Sequence, residues 1–160
     1  MSINYKQTIR LNIRQLKLQD LYYLYKDCVK HREYFYANTN FFNNPLYKEA
    51  LNFVAETKDS KKLIAHSKGF IKNDYNCFWL QTLMIHPKHL RQLYGTEFFL
   101  GIEEIIRTIY NVNNVCLSVH NENKTAHLFW KSLGFQNKLG FNKKVDNELL
   151  STTIYEKRIY

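Results

Sequence analysis

Residues 120–135 read HNENKTAHLFWKSLGF. A polar turn opens the stretch, Phe129 and Leu133 recur four residues apart, and Gly134 stands where glycine tolerates the left-handed conformation that ends a helix. The pattern predicts a short amphipathic helix from about residue 124 to 133. Asn123, Ala126, Trp130 and Gly134 fall at three- and four-residue intervals, so either packing or a ligand could set their spacing.

Working outward, VCLSVH (115–120) reads as the strand that feeds this helix, and FQNKLGF and STTIYEKRI follow it as two more strands. Upstream, Phe98, Phe99, Ile102, Ile105, Ile106 and Ile109 form an apolar stripe of helical period opening at or just after Gly95. Before that helix comes the apolar run CFWLQTLMIHP (77–87), which predicts a central strand buried on both faces and ending at Pro87. LNFVAET (51–57) and KLIAHSKGFIK (62–72) flank a polar KDSK tip as a hairpin, and NDYN (73–76) makes the next turn.

Residues 33–50 are rich in aromatics and asparagine and contain Pro45, which reads as a loop with a short helix. Ahead of them Asp20 opens a helix carrying Leu21, Leu24, Tyr25 and Cys28, a place where a carboxylate complements exposed amides. Ile9, Leu11 and Ile13 alternate with polar neighbours in TIRLNIR (8–14), the period of a half-buried strand. The order predicts an α/β domain on a mixed sheet, one domain over residues 1–160.

A chain of 160 residues with 45% hydrophobic and 16% aromatic content can bury a real core. MSINYKQTIRLNIR lacks an apolar leader, and no run approaches the roughly 18 apolar residues of a membrane span, so the expected setting is cytoplasmic, without membrane contact. Cys28, Cys77 and Cys116 are odd in number and lack metal-ligand spacing, which reads as reduced thiols with no disulfide frame and no metal site. The net charge of +9 favours anionic partners. Its densest cluster, Lys58, Lys61 and Lys62, lies in the polar tip and reads as solvated loop, so no specific nucleic-acid binding is expected.

The junction IHPKHLRQLYGTEFFL (85–100) carries the first sign of chemistry. A buried strand stops, a loop follows and a long helix begins, leaving unpaired amides and the positive end of a macrodipole at one locus, an anion site in form.

Here the chain resembles the GNAT family of acyl-CoA-dependent N-acetyltransferases. The family's Arg-x-x-Gly-x-Gly loop, aligned on Pro87 and Tyr94-Gly95-Thr96-Glu97, falls on Leu90, Leu93 and Gly95, keeping the last glycine. A second register, Gln92-x-x-Gly95, puts Glu97 where a small residue is expected, so the first is preferred. Asn123, Ala126, Trp130 and Leu133-Gly134-Phe135 resemble the family's second motif closely, and the element order matches over about residues 8–158.

The resemblance implies a mostly antiparallel central sheet flanked by helices, with the fourth and fifth strands splayed. It implies acetyl-CoA as cosubstrate, its arm paired to the backbone at Leu83 and Ile85. Its pyrophosphate would lie on Arg91, Gln92, Leu93, Tyr94, Gly95 and Thr96, with Asn123, Ala126 and Trp130 beside it. A primary amine would attack directly, with no covalent enzyme intermediate. Cys116 reads as packing, and a homodimer is compatible with the family. The acceptor would enter over Tyr34, Phe35, Tyr36, Phe41 and Phe42.

Three positions depart from the family pattern. Leu93 replaces a glycine, and a β-carbon at positive φ costs roughly 1–2 kcal/mol. Trp130 replaces the tyrosine that returns a proton to the thiolate in many relatives, and an indole N–H is no acid at neutral pH. Gln81 replaces the glutamate base, so it can position a water but cannot take a proton. A lysine-like amine, with a pKa of about 10.4, is neutral in only about one molecule in a thousand at pH 7, so a base is needed. His120, at the end of the fifth strand, is the leading substitute, with His66 and His86 behind it. His31, His89 and His127 read as surface residues. The rival expectation is a weak or inactive acyl-CoA-binding module.

Overall fold

The computed structural model describes residues 4–27, 50–145 and 148–160. The aromatic stretch with Tyr34, Phe35, Tyr36, Phe41, Phe42 and Pro45 lies outside the described residues, as do Cys28 and His31.

The chain runs β1 (Asn4–Gln7), β2 (Leu11–Gln15), α1 (Leu18–Asp27), β3 (Ala50–Thr57), β4 (Leu63–Lys72), β5 (Cys77–Ile85), α2 (Tyr94–Ile109), β6 (Asn114–His120), α3 (Lys124–Ser132), β7 (Gln136–Val145) and β8 (Glu148–Arg158). Single 3-10 turns at Asn73–Tyr75 and Pro87–His89 precede β5 and α2. The eight strands form one sheet in the order β1-β2-β3-β4-β5-β6-β8-β7, antiparallel throughout except for β5 beside β6. Among the described residues no helix is long and apolar enough to cross a membrane.

β1 is a strand that sequence periodicity did not predict, because NYKQ has no alternation to reveal it. The predicted strand over 8–14 begins later, at Leu11, and Ile9 sits in the bend between β1 and β2, exposed rather than in the core. Ile109 also leaves the helical stripe for solvent.

Directly opposed residues share a face, so the registers Ile13↔Ala55, Ala55↔Ala65 and Ala65↔Ile85 line one side of the sheet. That side packs on α2. A β-carbon on Gly101 would meet Ile13 Cδ1 at 2.2 Å, so glycine lets the helix settle onto β2. Phe98, Phe99, Ile102, Ile105 and Ile106 bury there, each stabilising by about 1.5–3 kcal/mol.

The opposite face carries Arg14, Val54, His66 and Met84 in register. Arg14 donates to both carboxylate oxygens of Asp20, at 2.7 and 2.9 Å, and to Glu56, which ties α1 to β2 and β3. Asp20 also accepts from the Lys17 amide at 2.7 Å, capping α1 as its place in the sequence suggests. Burial pushes the Asp20 carboxyl up, but the bonds from Arg14 and Lys17 outweigh it and hold the group below the usual carboxylate range.

β5 departs from the expected strand buried on both faces. Cys77, Phe78 and Leu80 are buried, but Gln81 is exposed and residues 82–85 are half-buried. The cause is a β-bulge. Lys68 pairs with Thr82 and Gly69 with Leu80, leaving Gln81 without a partner on β4. On the other side, the parallel ladder Cys77↔Asn114 to Leu80↔Leu117 stops at the same point, though both strands continue. β6 keeps pairing with β8 to His120↔Thr152, so a gap opens between β5 and β6 beyond Leu80.

Candidate functional site

Two strand-to-helix junctions flank this gap. At the first, β5 leads through Pro87–His89 into α2, and Leu93 is the N-cap with φ 64° and ψ 6°, the left-handed conformation. In the register through Leu90, Leu93 and Gly95 this is the position where the family pattern has glycine. Arg91 is also left-handed, with φ 59°. Among the described residues no side-chain cap bond is made at Leu93. Tyr94, Gly95 and Thr96 are the first three helical residues, whose amides have no partner four residues back, and the Arg91, Gln92 and Leu93 amides have no acceptor among the described residues. The loop thus turns a row of donors outward at a helix N-terminus.

Arg10 braces that loop. Its guanidinium lies 4.0 Å from the Tyr94 ring centroid and donates to the Gln92 carbonyl at 3.0 Å, while Gln92 Nε2 donates to the Lys88 carbonyl at 2.9 Å. Glu97 is absorbed by this brace and is no free base. It accepts from Thr8 Oγ1 at 2.5 Å, from the Arg10 amide at 2.7 Å and from Arg10 Nε at 2.7 Å. Burial pushes Glu97 up, but these bonds hold it low. His86 Nδ1 accepts from the Lys88 amide at 3.2 Å, shaping the 3-10 turn.

Gly95 is informative because the fold does not require it. A β-carbon there would make ordinary contacts, 3.5 Å to Ile85 and to Phe129, and the residue does not have positive φ. The start of α2 thus sits against Ile85 of β5 and Phe129 of α3.

The second junction, from β6 to α3, is tightly tied. Asn123 caps α3, its Oδ1 accepting from the Ala126 amide at 3.0 Å. The Asn123 amide and His127 Nε2 both donate to the His120 carbonyl, the latter at 3.1 Å. A carbonyl can only accept, so neutral His127 carries its proton on Nε2 and receives the buried Tyr155 hydroxyl on Nδ1 at 2.7 Å. His127 is therefore no simple surface residue, but the half-buried link between α3, β6 and β8.

Trp130 is 7% exposed and packs edge-on against Phe99, Phe129 and Phe135, with ring centroids 4.8–5.3 Å apart. It seats α3 on α2. Its indole N–H makes no hydrogen bond among the described residues.

The other candidates lie around the gap. Val115, Leu117 and Val119 are buried toward α2 and α3, so alternation turns Cys116, Ser118 and exposed His120 to the opposite face. Gln81 is exposed at the bulge, and Leu83 and Ile85 form the far end of β5. His66 and Lys68, on the same face as His120, are buried across β5. Periodicity gave no sign of Lys68, which reads as an ordinary polar residue of a half-buried strand. Cys77 is raised by its hydrogen bond to Cys116 and by burial, which suits a packing role rather than a nucleophile.

A family sequence model described as Acetyltransferase (GNAT) family matches residues 16–135. No curated protein matches the chain. In fold it is similar to a point mutant of the spermidine N-acetyltransferase SpeG from Vibrio cholerae, with TM-score 0.75 and 15% identity over 94% of this chain and 95% of that one. A dodecameric structure of spermidine N-acetyltransferase from the same organism gives 0.73 and 16%, over 94% and 95%. The ribosomal-protein-S18-alanine N-acetyltransferase from Escherichia coli gives 0.70 and 19%, over 93% and 94%.

Proposed function

Since the chain belongs to the GNAT acetyltransferase family, a match over residues 16–135, we propose that it transfers an acetyl group from acetyl-CoA to a primary amine by direct attack. The observation that carries this reading is the uncapped start of α2 beside the gap in the sheet. The amides of Arg91, Gln92, Leu93, Tyr94, Gly95 and Thr96 would hold the pyrophosphate, each bond to a charged group contributing about 1.5–3 kcal/mol net. The free backbone edge of β5 at Leu83 and Ile85 would pair with the arm like an added strand. Bound acetyl-CoA supplies an activated acetyl thioester. Asn123, Ala126 and Trp130 would form the wall on the α3 side.

Proton handling falls to other groups. Gln81 orients a water at the bulge, and His120, exposed on the face opposite α2 and α3, takes the amine proton directly or through that water. The thiolate receives its proton from water, because Trp130 offers no acid.

Three observations favour a second reading, a weakly active or inactive acyl-CoA-binding module. Leu93 holds a strained conformation in the phosphate loop, and neither Gln81 nor Trp130 can exchange a proton. One assay separates the two. Incubation with acetyl-CoA and polyamines, aminoglycosides, amino acids or peptide N-termini should release free CoA thiol with at least one class. Tight cofactor binding without turnover would favour the module, and no thermal shift with excess acetyl-CoA would sink both.

The same reading takes residues 1–160 as one domain, supported by the single sheet that unites both ends of the described chain. It takes the protein as cytoplasmic, in keeping with the free thiols of Cys77 and Cys116. Exposed Leu139 and Phe141 on edge strand β7 suit self-association, with a homodimer the smallest such assembly.

A further inference from the structure

The sheet has a second break, at the end away from the gap. β8 pairs with β6 as far as Arg158↔Asn114, whereas β7 joins β8 only from Gln136↔Glu156. Lys157 and Arg158 therefore stand past the start of β7, and the chain between α3 and β7 turns through Gly134 at φ 87°. The notch so formed is a cavity of about 660 Å³. Asn114 lines it at one end of β6, and His120 lies at the other end of that strand, roughly 20 Å away at the usual rise. No residue of the proposed acetyl-CoA site lines it.

The lining is polar and carries a surplus of positive charge. Lys138, Lys157 and Arg158 contribute to it with a single carboxylate, that of Glu156. Two of the cations are already engaged, because Lys138 donates to Glu156 and Lys157 to Glu103 of α2. Lys138 is the extra residue of a β-bulge between Asn137↔Tyr155 and Leu139↔Ile154, a device that re-aims a side chain. Arg158 is left over. Its guanidinium lies 5.5 Å from the Tyr160 ring centroid and makes no ion pair or side-chain hydrogen bond among the described residues. The side-chain amides of Gln136 and Asn137 likewise make no hydrogen bond among the described residues.

These groups define a ligand chemistry. With each lysine paired to a carboxylate, the charge to be met is that of Arg158, whose planar fork matches a carboxylate or a phosphate. An amide side chain both donates and accepts, so Gln136 and Asn137 suit hydroxyl groups rather than an apolar body. The volume is far more than one inorganic anion fills and falls in the usual range of small-molecule sites. We propose that this notch binds a small polyhydroxylated anion, a sugar phosphate or a sugar acid, with its charged group on Arg158 and its hydroxyls on Gln136 and Asn137. The site is independent of the acetyl-CoA reading. A ligand there lies against Lys157, which ties β8 to α2, and against Gly134, which follows α3, so occupancy braces both helices.

The test uses the full chain at low salt, with glucose 6-phosphate and gluconate as anionic probes and glucose as the neutral control. Calorimetry should show saturable one-to-one binding of at least one anion, with a rise in thermal midpoint, while glucose gives neither. A response to glucose 6-phosphate alone identifies a phosphate ligand, and one to gluconate alone a carboxylate. Amide NMR signals of Gly134, Gln136 and Arg158 should shift on binding. Arg158→Ala should weaken binding at least about tenfold, as expected for a lost charge-assisted pair. Lys124→Ala, which removes the same charge at the other end of the sheet, should leave it unchanged. Binding of neither anion overturns the proposal. So does an equal loss from Lys124→Ala, binding of glucose or inorganic phosphate as tight as that of the organic anions, or displacement of the probe by acetyl-CoA.

Discussion

Two neighbouring strands, β5 and β6, each feed a helix at the same end of the sheet, and the two junctions are built in opposite ways. The turn into α3 is short and closed, with Asn123 capping its own helix and His127 and Tyr155 pinning the strand end. The turn into α2 is long, has two left-handed non-glycine residues and leaves the helix uncapped. A helix end satisfied by its own chain has little left for a ligand, whereas an unsatisfied one is a site. On the proposed reading the contrast would give phosphate binding to α2 and leave α3 as the wall.

The largest effect should come from removing what seats the closed junction. Trp130→Ala takes the centre from a four-ring aromatic cluster and should cost about 3–5 kcal/mol in denaturant unfolding. A much smaller loss would mean that α3 is held by its turn rather than its packing.

Acid acts on β4, the neighbour of the strand that leads into the open junction. His66 titrates near 4 when folded and near 6.5 when unfolded, so its contribution is present above pH 6.5 and lost as pH falls toward 4. The unfolded chain takes the proton first in that window, and the loss approaches about 3 kcal/mol. Urea unfolding across the window should show the decline, and His66→Gln should flatten it.

Gly95→Ala tests the open junction directly. Stability should stay within about 0.5 kcal/mol, because the added carbon meets only ordinary contacts. Acetyl-CoA affinity by calorimetry should fall at least about tenfold, or roughly 1.4 kcal/mol. Unchanged affinity would remove Gly95 from the cofactor site.

Leu93→Gly should stabilise by about 1 kcal/mol by relieving the left-handed backbone and should tighten cofactor binding. Asn123→Ala should cost about 0.5–1 kcal/mol as a lost cap. If it weakens acetyl-CoA binding more than Gly95→Ala does, the contrast between the junctions is wrong.

Most of this architecture was legible because its signals are local. The stripe from Phe98 to Ile106, the Asp20 turn and the Gly134 stop each depend on a few residues of spacing. β1 was not legible, since NYKQ owes its strand state to pairing with β2. Ile9 alternates correctly with Leu11 and Ile13 and still lies outside, because a bend between strands cancels periodicity. Of the site, the loop into α2 and the helix beginning beside Asn123 were readable from motif spacing, whereas the Asn123 cap itself emerged only in the structure. The left-handed state of Leu93 followed only from the resemblance, and the buried state of Lys68 from neither, since what covers a strand residue is decided far away in sequence.

The bulge at Gln81 has one more consequence. Phe78 and Leu80 before it, and Leu83 and Ile85 after it, meet the same helix only because one extra residue resets the alternation. With Gln81 deleted, the same apolar residues would fall on the same face of a regular strand, free to pair with β6 along its full length. A single residue of difference in length thus keeps the apolar face continuous on both sides of the point where the ladder to β6 stops.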